Sequence, residues 1–231
     1  MQVLAGAGFD VLGEAFPARW ERSIQDANPR GFWESRLRKG IYFETNPDPE
    51  TGAYLHPERT QRTVVKVFSQ GLIRTDWAFL KRVVVSMRPW RVVTASMRDL
   101  YRREEEFLGT TPKRPAIGLA DEWWIDNYEI LRDAAVRGYP FRLVACERMV
   151  EAPRETLQQL LPWLGGGDLE AAVAAVAPEL QRSAPADEEP WPLAELADAW
   201  YQSVLETGRV PPELVHELNE AHQALEERLT S

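Results

Sequence analysis

The chain has 231 residues, enough for one α/β domain with a sizeable core, and a second domain is not required. Its formal net charge of −9 argues against a nucleic-acid partner, because nothing offsets phosphate repulsion over the whole surface. A single cysteine, Cys146, excludes an intramolecular disulfide and a cysteine-ligated zinc site, and His56, His216 and His222 are scattered without metal-like spacing.

In chain order, Asp26 to Glu34 is a polar stretch closing on two aromatics and a carboxylate. A Pro/Gly-rich loop from Pro47 to Pro57 holds His56, which is expected to be exposed. Thr63 to Phe68, Arg82 to Met87 and Phe141 to Cys146 read as short strands rich in apolar residues, with Cys146 a buried, inert thiol. Between them, Val93, Met97, Leu100 and Glu104 share one helix face, while Arg98 to Arg103 and Glu104 to Glu106 supply a charged one. Residues 104–118 read either as a mobile loop over an acceptor or as a plain connector. In the next helix Trp124, Tyr128, Leu131 and Ala135 repeat at helical spacing, and Gly138 closes it. Beyond Pro153 the chain turns helical over Thr156 to Leu164, Leu169 to Val176, Pro192 to Glu206 and Pro211 to Leu229. Gly165-Gly166-Gly167 is a helix stop rather than a phosphate cradle, since Asp168 follows in place of a Lys and Ser/Thr. Ser183 to Pro192 is an acidic, Pro-rich surface loop.

Strands alternating with helices point to βαβ units, a parallel sheet covered on both faces. No apolar run approaches membrane-spanning length, and the start lacks the basic end and long apolar core of a signal peptide. A cytoplasmic protein with neither membrane nor metal is therefore expected.

One junction stands out. The strand ending at Met87 runs through Arg88 into Pro89, whose fixed φ suits the start of a helix. A strand entering a helix N-terminus leaves unpaired N–H groups and a positive dipole end, which favour an anion. Arg88 sits at that mouth, and Ser96 lies about two turns further on. The two together suit an oxyanion, most naturally a phosphate. Lys81, Arg82, Arg91, Arg98, Arg102 and Arg103 crowd the same 23 positions, and most of them fit a solvated helix face.

A strand ending in Arg88-Pro89, with Ser96 eight positions after the arginine, resembles the 3′-phosphate-binding segment of sulfotransferases. Asp26-Ala27-Asn28-Pro29-Arg30-Gly31-Phe32-Trp33-Glu34 resembles a stretch found early in many bacterial members. Phe141 to Met149, Pro153 to Leu157 and Trp163-Leu164-Gly165 resemble their later strand–Glu–helix module. The matches span roughly residues 1–165, in the family's order. The resemblance implies a nucleoside-triphosphate-hydrolase-like parallel sheet flanked by helices, as one sulfotransferase-like domain over 1–231. Residues 1–165 would be its α/β core and 166–231 a helical extension. It further implies 3′-phosphoadenosine 5′-phosphosulfate as co-substrate, with Arg88 and Ser96 holding its 3′-phosphate.

Two departures from the family accompany it. Such enzymes begin with a strand and a loop of the Pro-Arg-Ser-Gly-Thr-Ser form that cradles the phosphosulfate, whereas this chain opens on the helix that would follow. Three explanations compete: the natural protein starts upstream, the loop and its activity are lost, or Arg19, Arg22, Arg30 or Lys66 rebuilds the site. A missing central strand would also expose a sheet edge, lowering stability or favouring a homodimer. The second departure is Phe68, standing where many members carry a histidine base. Glu34 is then the first candidate base, the alternative being a helix-terminal charge or cap. Lys66 is either a charge-stabilising catalytic residue or a strand lysine reaching solvent. Trp33, Trp90, Trp123 and Trp124 would line an aromatic pocket or belong to the core. The implied function is sulfuryl transfer to a hydroxyl or amine of a small-molecule acceptor, without metal. The alternative is a non-catalytic protein of the same fold that binds a nucleotide or partner.

Overall fold

A computed structural model describes residues 1–16, 28–109, 111, 117–180 and 190–231. Arg19, Arg22, Asp26 and Ala27, together with 110 and 112–116 from one expected loop and 183–189 from the other, lie outside the described residues.

Four short strands form two parallel two-stranded sheets among the described residues. β1 (Asp10–Leu12) pairs with β2 (Thr63–Val65), Asp10 opposite Thr63. β3 (Val83–Met87) pairs with β4 (Phe141–Ala145), Val83 opposite Phe141. The expected single sheet is thus divided, because β2 and β3 are not hydrogen-bonded to each other. β1 falls where no strand is expected from the sequence. Helix α1 (Gln2–Gly6) ends early, and Gly8, at φ 85°, turns the chain so that Asp10-Val11-Leu12 reaches β2.

Both sheets lie between the same helical layers. Along β3, Val84 packs into the cluster built on Phe9, Leu157 and Leu161, whereas Val85 and Met87 face the opposite cluster around Trp123, Trp124 and Trp200. Val144 and its neighbours Leu143 and Ala145 alternate in the same way along β4. From β2, Val64 joins the Phe9 cluster, and Val67 just beyond the strand packs with Leu72, Leu80 and Tyr139.

The helices follow the apolar periodicity. α2 (Ser69–Arg74) follows β2, and α3 (Trp90–Leu108) follows β3. The latter runs through 104–108, so that part of the expected loop is helical, ending at Gly109. α4 (Leu119–Arg137) closes at Gly138, as its sequence predicts. α5 (Cys146–Glu151) begins directly after β4, placing Cys146 at a helix start rather than inside a strand. α6 (Pro153–Leu164) stops at Gly165, and α7 (Leu169–Ala174), α8 (Ala194–Thr207) and α9 (Pro212–Thr230) complete the fold. The C-terminal helices pack into the same core as the strands. Trp200, Val204, Leu218 and Leu225 share a cluster with Val85 and Leu143, and Trp90 donates to Asp198 Oδ1 at 2.8 Å. No helix among the described residues is long and apolar enough to cross a membrane.

Candidate functional site

The carboxyl ends of parallel strands are where open α/β folds bind ligands, because helix N-termini and loop side chains converge there. In this chain a cavity of about 1480 Å³ opens at that edge and continues between β2 and β3. Glu34, Lys66 and Arg88 all line it. The structure therefore gathers three of the four residues singled out from the sequence.

Glu34 is placed by a short antiparallel contact. After β1 the chain passes Glu14, whose N–H and C=O exchange hydrogen bonds with Glu34 at 3.1 Å each, while Phe32 N–H donates to Ala15 O at 2.6 Å. Trp33 adopts φ 54° in this turn, a conformation a bulky residue holds only when its surroundings impose it. Its indole donates to Arg30 O at 3.2 Å. The Glu34 carboxylate is buried and paired twice, with Arg38 Nη1 at 2.7 Å and Lys66 Nζ at 3.0 Å. It is not a helix cap. Ser35 caps the following 3-10 turn (Arg36–Lys39) by accepting from Leu37 N–H.

Lys66 follows β2 directly and turns inward, donating to Glu34 and, at 3.3 Å, to Phe32 O. The reading of a strand lysine reaching solvent gives way to this pair. Phe68, standing where a histidine base was sought, is 48% exposed on the cavity rim.

Arg88 stands at the end of β3, its carbonyl accepting from the Trp123 indole at 3.0 Å. Among the described residues it forms no salt bridge. Its charge acts on Glu147 and Cys146 at the start of α5. Burial pushes the Glu147 carboxyl up and Arg88 offsets part of that rise. Burial likewise raises the Cys146 thiol, which shares a 3.1 Å hydrogen bond with Ser86 and is poorly suited to nucleophilic work.

Ser96 does not line the cavity. α3 presents Val93, Met97, Leu100, Tyr101 and Glu104 to it, and Ser96 sits on the flank of that face, about 9 Å along the axis from Trp90. Arg30, a candidate for rebuilding an anion site, is on the surface beyond the lining, paired with Glu179 at 2.9 Å. His56 is exposed in its loop beside Tyr54. Of the tryptophans, Trp90 and Trp124 are fully buried core residues, and Trp123 alone of the four lines the cavity.

The α4 part of the lining was missed in the sequence. α4 contributes Glu122 and Asp126, one turn apart, with Trp123 and Ile130 between and beyond them. Asp126 accepts from the Ser69 hydroxyl. Burial pushes its carboxyl up, Ser69 works against that, and Glu129 adds to it. Glu122 is raised by burial and then by Asp126. Two acids spaced by four, on a helix face shared with Leu119, Trp123 and Ile130, were the available signal.

The cavity lining thus includes three cations, Lys66 and Arg38 on Glu34 and Arg88 at the end of β3, together with the acids and Trp123 of α4. The cations suit an oxyanion, and the α4 acids offer carboxylates with elevated proton affinity. No His/Cys/Asp/Glu group fit for a metal ion occurs among the described residues. No family model matches the chain, nor does any curated protein or solved structure.

Proposed function

We propose that this chain carries a sulfotransferase-type fold and moves a sulfuryl group from 3′-phosphoadenosine 5′-phosphosulfate to a hydroxyl or amine of a small molecule. The observation that carries the reading is the convergence of Arg88, Lys66 and Glu34 on one cavity at the carboxyl ends of β2 and β3. Arg88 has no salt-bridge partner among the described residues, so its guanidinium is available to a phosphate. In an in-line displacement, cations beside the leaving bisphosphate stabilise its developing charge, and a carboxylate takes the acceptor's proton. Lys66 supplies the first role. Glu34 is less suited to the second than its position implied, because two cations already neutralise it. Asp126, with its raised proton affinity and its place in the cavity lining, is the better-suited base.

A second reading, a nucleotide-binding protein without turnover, is favoured by the double ion pair on Glu34 and by Phe68 on the rim.

Calorimetric titration with 3′,5′-adenosine bisphosphate, alongside 5′-AMP and the Arg88→Ala variant, tests the site. We expect the bisphosphate to bind more tightly than 5′-AMP, and Arg88→Ala to weaken it about 10- to 100-fold, the worth of a charged hydrogen bond. Equal affinity for both nucleotides, or no effect of the variant, sinks the proposal. Conversion of the phosphosulfate to bisphosphate with pooled phenols and amines then separates enzyme from binder.

A further inference from the structure

We propose that α9 is an acid-released latch: protonation of His222, at the centre of its buried stripe, undocks α9 from α4 and bares the apolar cluster beneath. The inference goes beyond the sulfuryl-transfer reading and does not depend on it.

The first support is how little holds the helix. Of its nineteen residues only Leu218, His222 and Leu225 are buried. Their spacing of four and three puts them on one face. Leu218 and Leu225 join the cluster around Trp200 and Val204, with Leu214 and Ala221 partly buried beside them. The polar fastenings to α4 lie at the surface. The Tyr128 hydroxyl donates to Asn219 Oδ1 at 2.8 Å, and Arg228 Nη2 donates to Asp121 Oδ1 at 2.7 Å. Docking therefore rests on a narrow stripe, and the middle of that stripe is titratable.

The second support is the setting of the imidazole. The ring stacks on Tyr128 of α4 with centroids 3.8 Å apart and planes at 20°, and the residue is only 4% exposed. Both ring nitrogens are buried without a hydrogen-bond partner, although Glu226 Oε1 lies 3.3 Å from Nε2. A neutral imidazole in this place gives up one donor's and one acceptor's water. An imidazolium gives up the water of two donors and of a full charge, which is far more costly. Three charges act on the ring. Glu226 of α9 and Glu129 of α4 favour the imidazolium, and Arg132 of α4 opposes it. From α8, the cluster receives Ala197, Trp200, Tyr201 and Val204, none of them charged near neutrality. Burial outweighs the two acids and holds the proton affinity of the ring below its ordinary value.

The direction of the response follows. Once α9 is undocked, solvent reaches the ring and His222 takes up its proton near the ordinary 6.5. The docked form binds fewer protons, so docking is complete above that pH and weakens as the pH falls below it. The same helix carries its own control. His216 and Glu220 repeat the histidine–glutamate pair four residues apart, but the His216 side chain is 76% exposed and its protonation leaves docking unaffected. Release has a consequence for the cavity, because α4 is shared. Asp121 and Tyr128 hold α9, whereas Glu122, Asp126 and Ile130 of the same helix line the cavity. Acid would thus strip the support from one flank of α4 without touching a lining residue.

The test follows hydrogen exchange of the α9 amides from pH 7.5 to pH 5, corrected for the intrinsic pH dependence of exchange, in the parent, His222→Gln and His216→Gln. Opening of α9 should increase at least about tenfold in the parent and in His216→Gln, and stay flat in His222→Gln. The β3 and β4 amides should keep their protection throughout. Should His222→Gln fail to fold, magnetic-resonance titration of the ring protons in the parent decides, with His222 expected to protonate at a lower pH than His216. Equal titration of the two histidines overturns the proposal. So does an acid response that is absent from the parent or persists in His222→Gln. Loss of protection in β3 and β4 alongside α9 would overturn it as well, by making the acid effect global unfolding.

Discussion

Glu34 holds a carboxylate at 8% exposure because two cations reach it from separate stretches of chain, Arg38 four residues on and Lys66 beyond β2. A buried charge is tolerated when paired and expensive when stranded. Glu34→Ala leaves the two cations facing one another, partly relieved by solvent because the Lys66 side chain keeps 31% exposure. We expect a loss of about 2 kcal/mol for Glu34→Ala and under about 1 kcal/mol for Lys66→Ala, since Arg38 still neutralises Glu34. Urea unfolding of the two variants measures the order, and a reversal would make Lys66 the organiser of this corner. Asp126 behaves in the opposite sense. Burial raises its carboxyl, so the folded protein keeps that proton to a higher pH than the unfolded chain, whose aspartate titrates near 3.8. The folded state is then favoured most below that value and loses the contribution as pH climbs through the raised folded pKa. An asparagine at this position mimics the neutral acid and can still accept from Ser69. Asp126→Asn should therefore melt with the parent at pH 3 and above it at pH 7. Identical melting at both pH values would show that the carboxylate is well solvated.

The element that fixes this corner is the crossing of α2 over the 3-10 turn at Arg36–Lys39, where Gly40 and Gly71 meet. A Cβ on Gly71 would fall 2.5 Å from Arg38 O and 2.8 Å from Gly40 N. Both are backbone atoms and have no rotamer to escape into. In an open helix Gly→Ala gains up to about 1 kcal/mol; here we expect Gly71→Ala to lose about 2 kcal/mol. Because Arg38 belongs to that crossing, the variant should also displace the Glu34 pair and weaken anion binding. Chemical denaturation combined with bisphosphate titration reads both effects, and a stabilised variant would show that the helices part easily. Elements of this kind divide into those the sequence announces and those it does not. β3, β4 and the helices after Pro153 were legible because β-branched runs and apolar repeats decide them locally. β1 was not, since three half-buried or exposed residues become a strand only by pairing with β2, some fifty residues away. Arg88 could be named from its position at a strand end, and Lys66 through the family resemblance. The Glu34–Arg38–Lys66 pairing and the α4 acids depend on how separate elements meet, which no local pattern encodes. The relation of Arg88 to Ser96 was readable as spacing, and α3 turns Ser96 off the cavity face.

For the whole molecule, the division of the layer implies unequal resistance to opening. β3 and β4 share five residue pairs, and Met87, Trp124, Trp200 and Leu157, all almost wholly buried, belong to the clusters on their two faces. β1 and β2 share three pairs, and none of those six residues is fully buried. Local opening follows the amount of apolar surface exposed and the ladder bonds broken. Under native-state hydrogen exchange in low denaturant, amides of β3 and β4 should open only with global unfolding. Those of β1 and β2 should exchange through an earlier, partial opening that takes the Glu34 segment with it. A single opening free energy for all four strands would mean that the flanking helices already couple the two halves. The site spans this division, with Lys66 on the β2 side and Arg88 on the β3 side. An anion held by both therefore links the halves, because any ligand bound only when both are closed shifts the balance against opening. Adding 3′,5′-adenosine bisphosphate should accordingly slow exchange in β1 and β2 first, and leave the β3–β4 amides nearly unchanged until their shared global limit is raised. Protection confined to β3 and α3 would place the anion on Arg88 alone and remove Lys66 from the binding site.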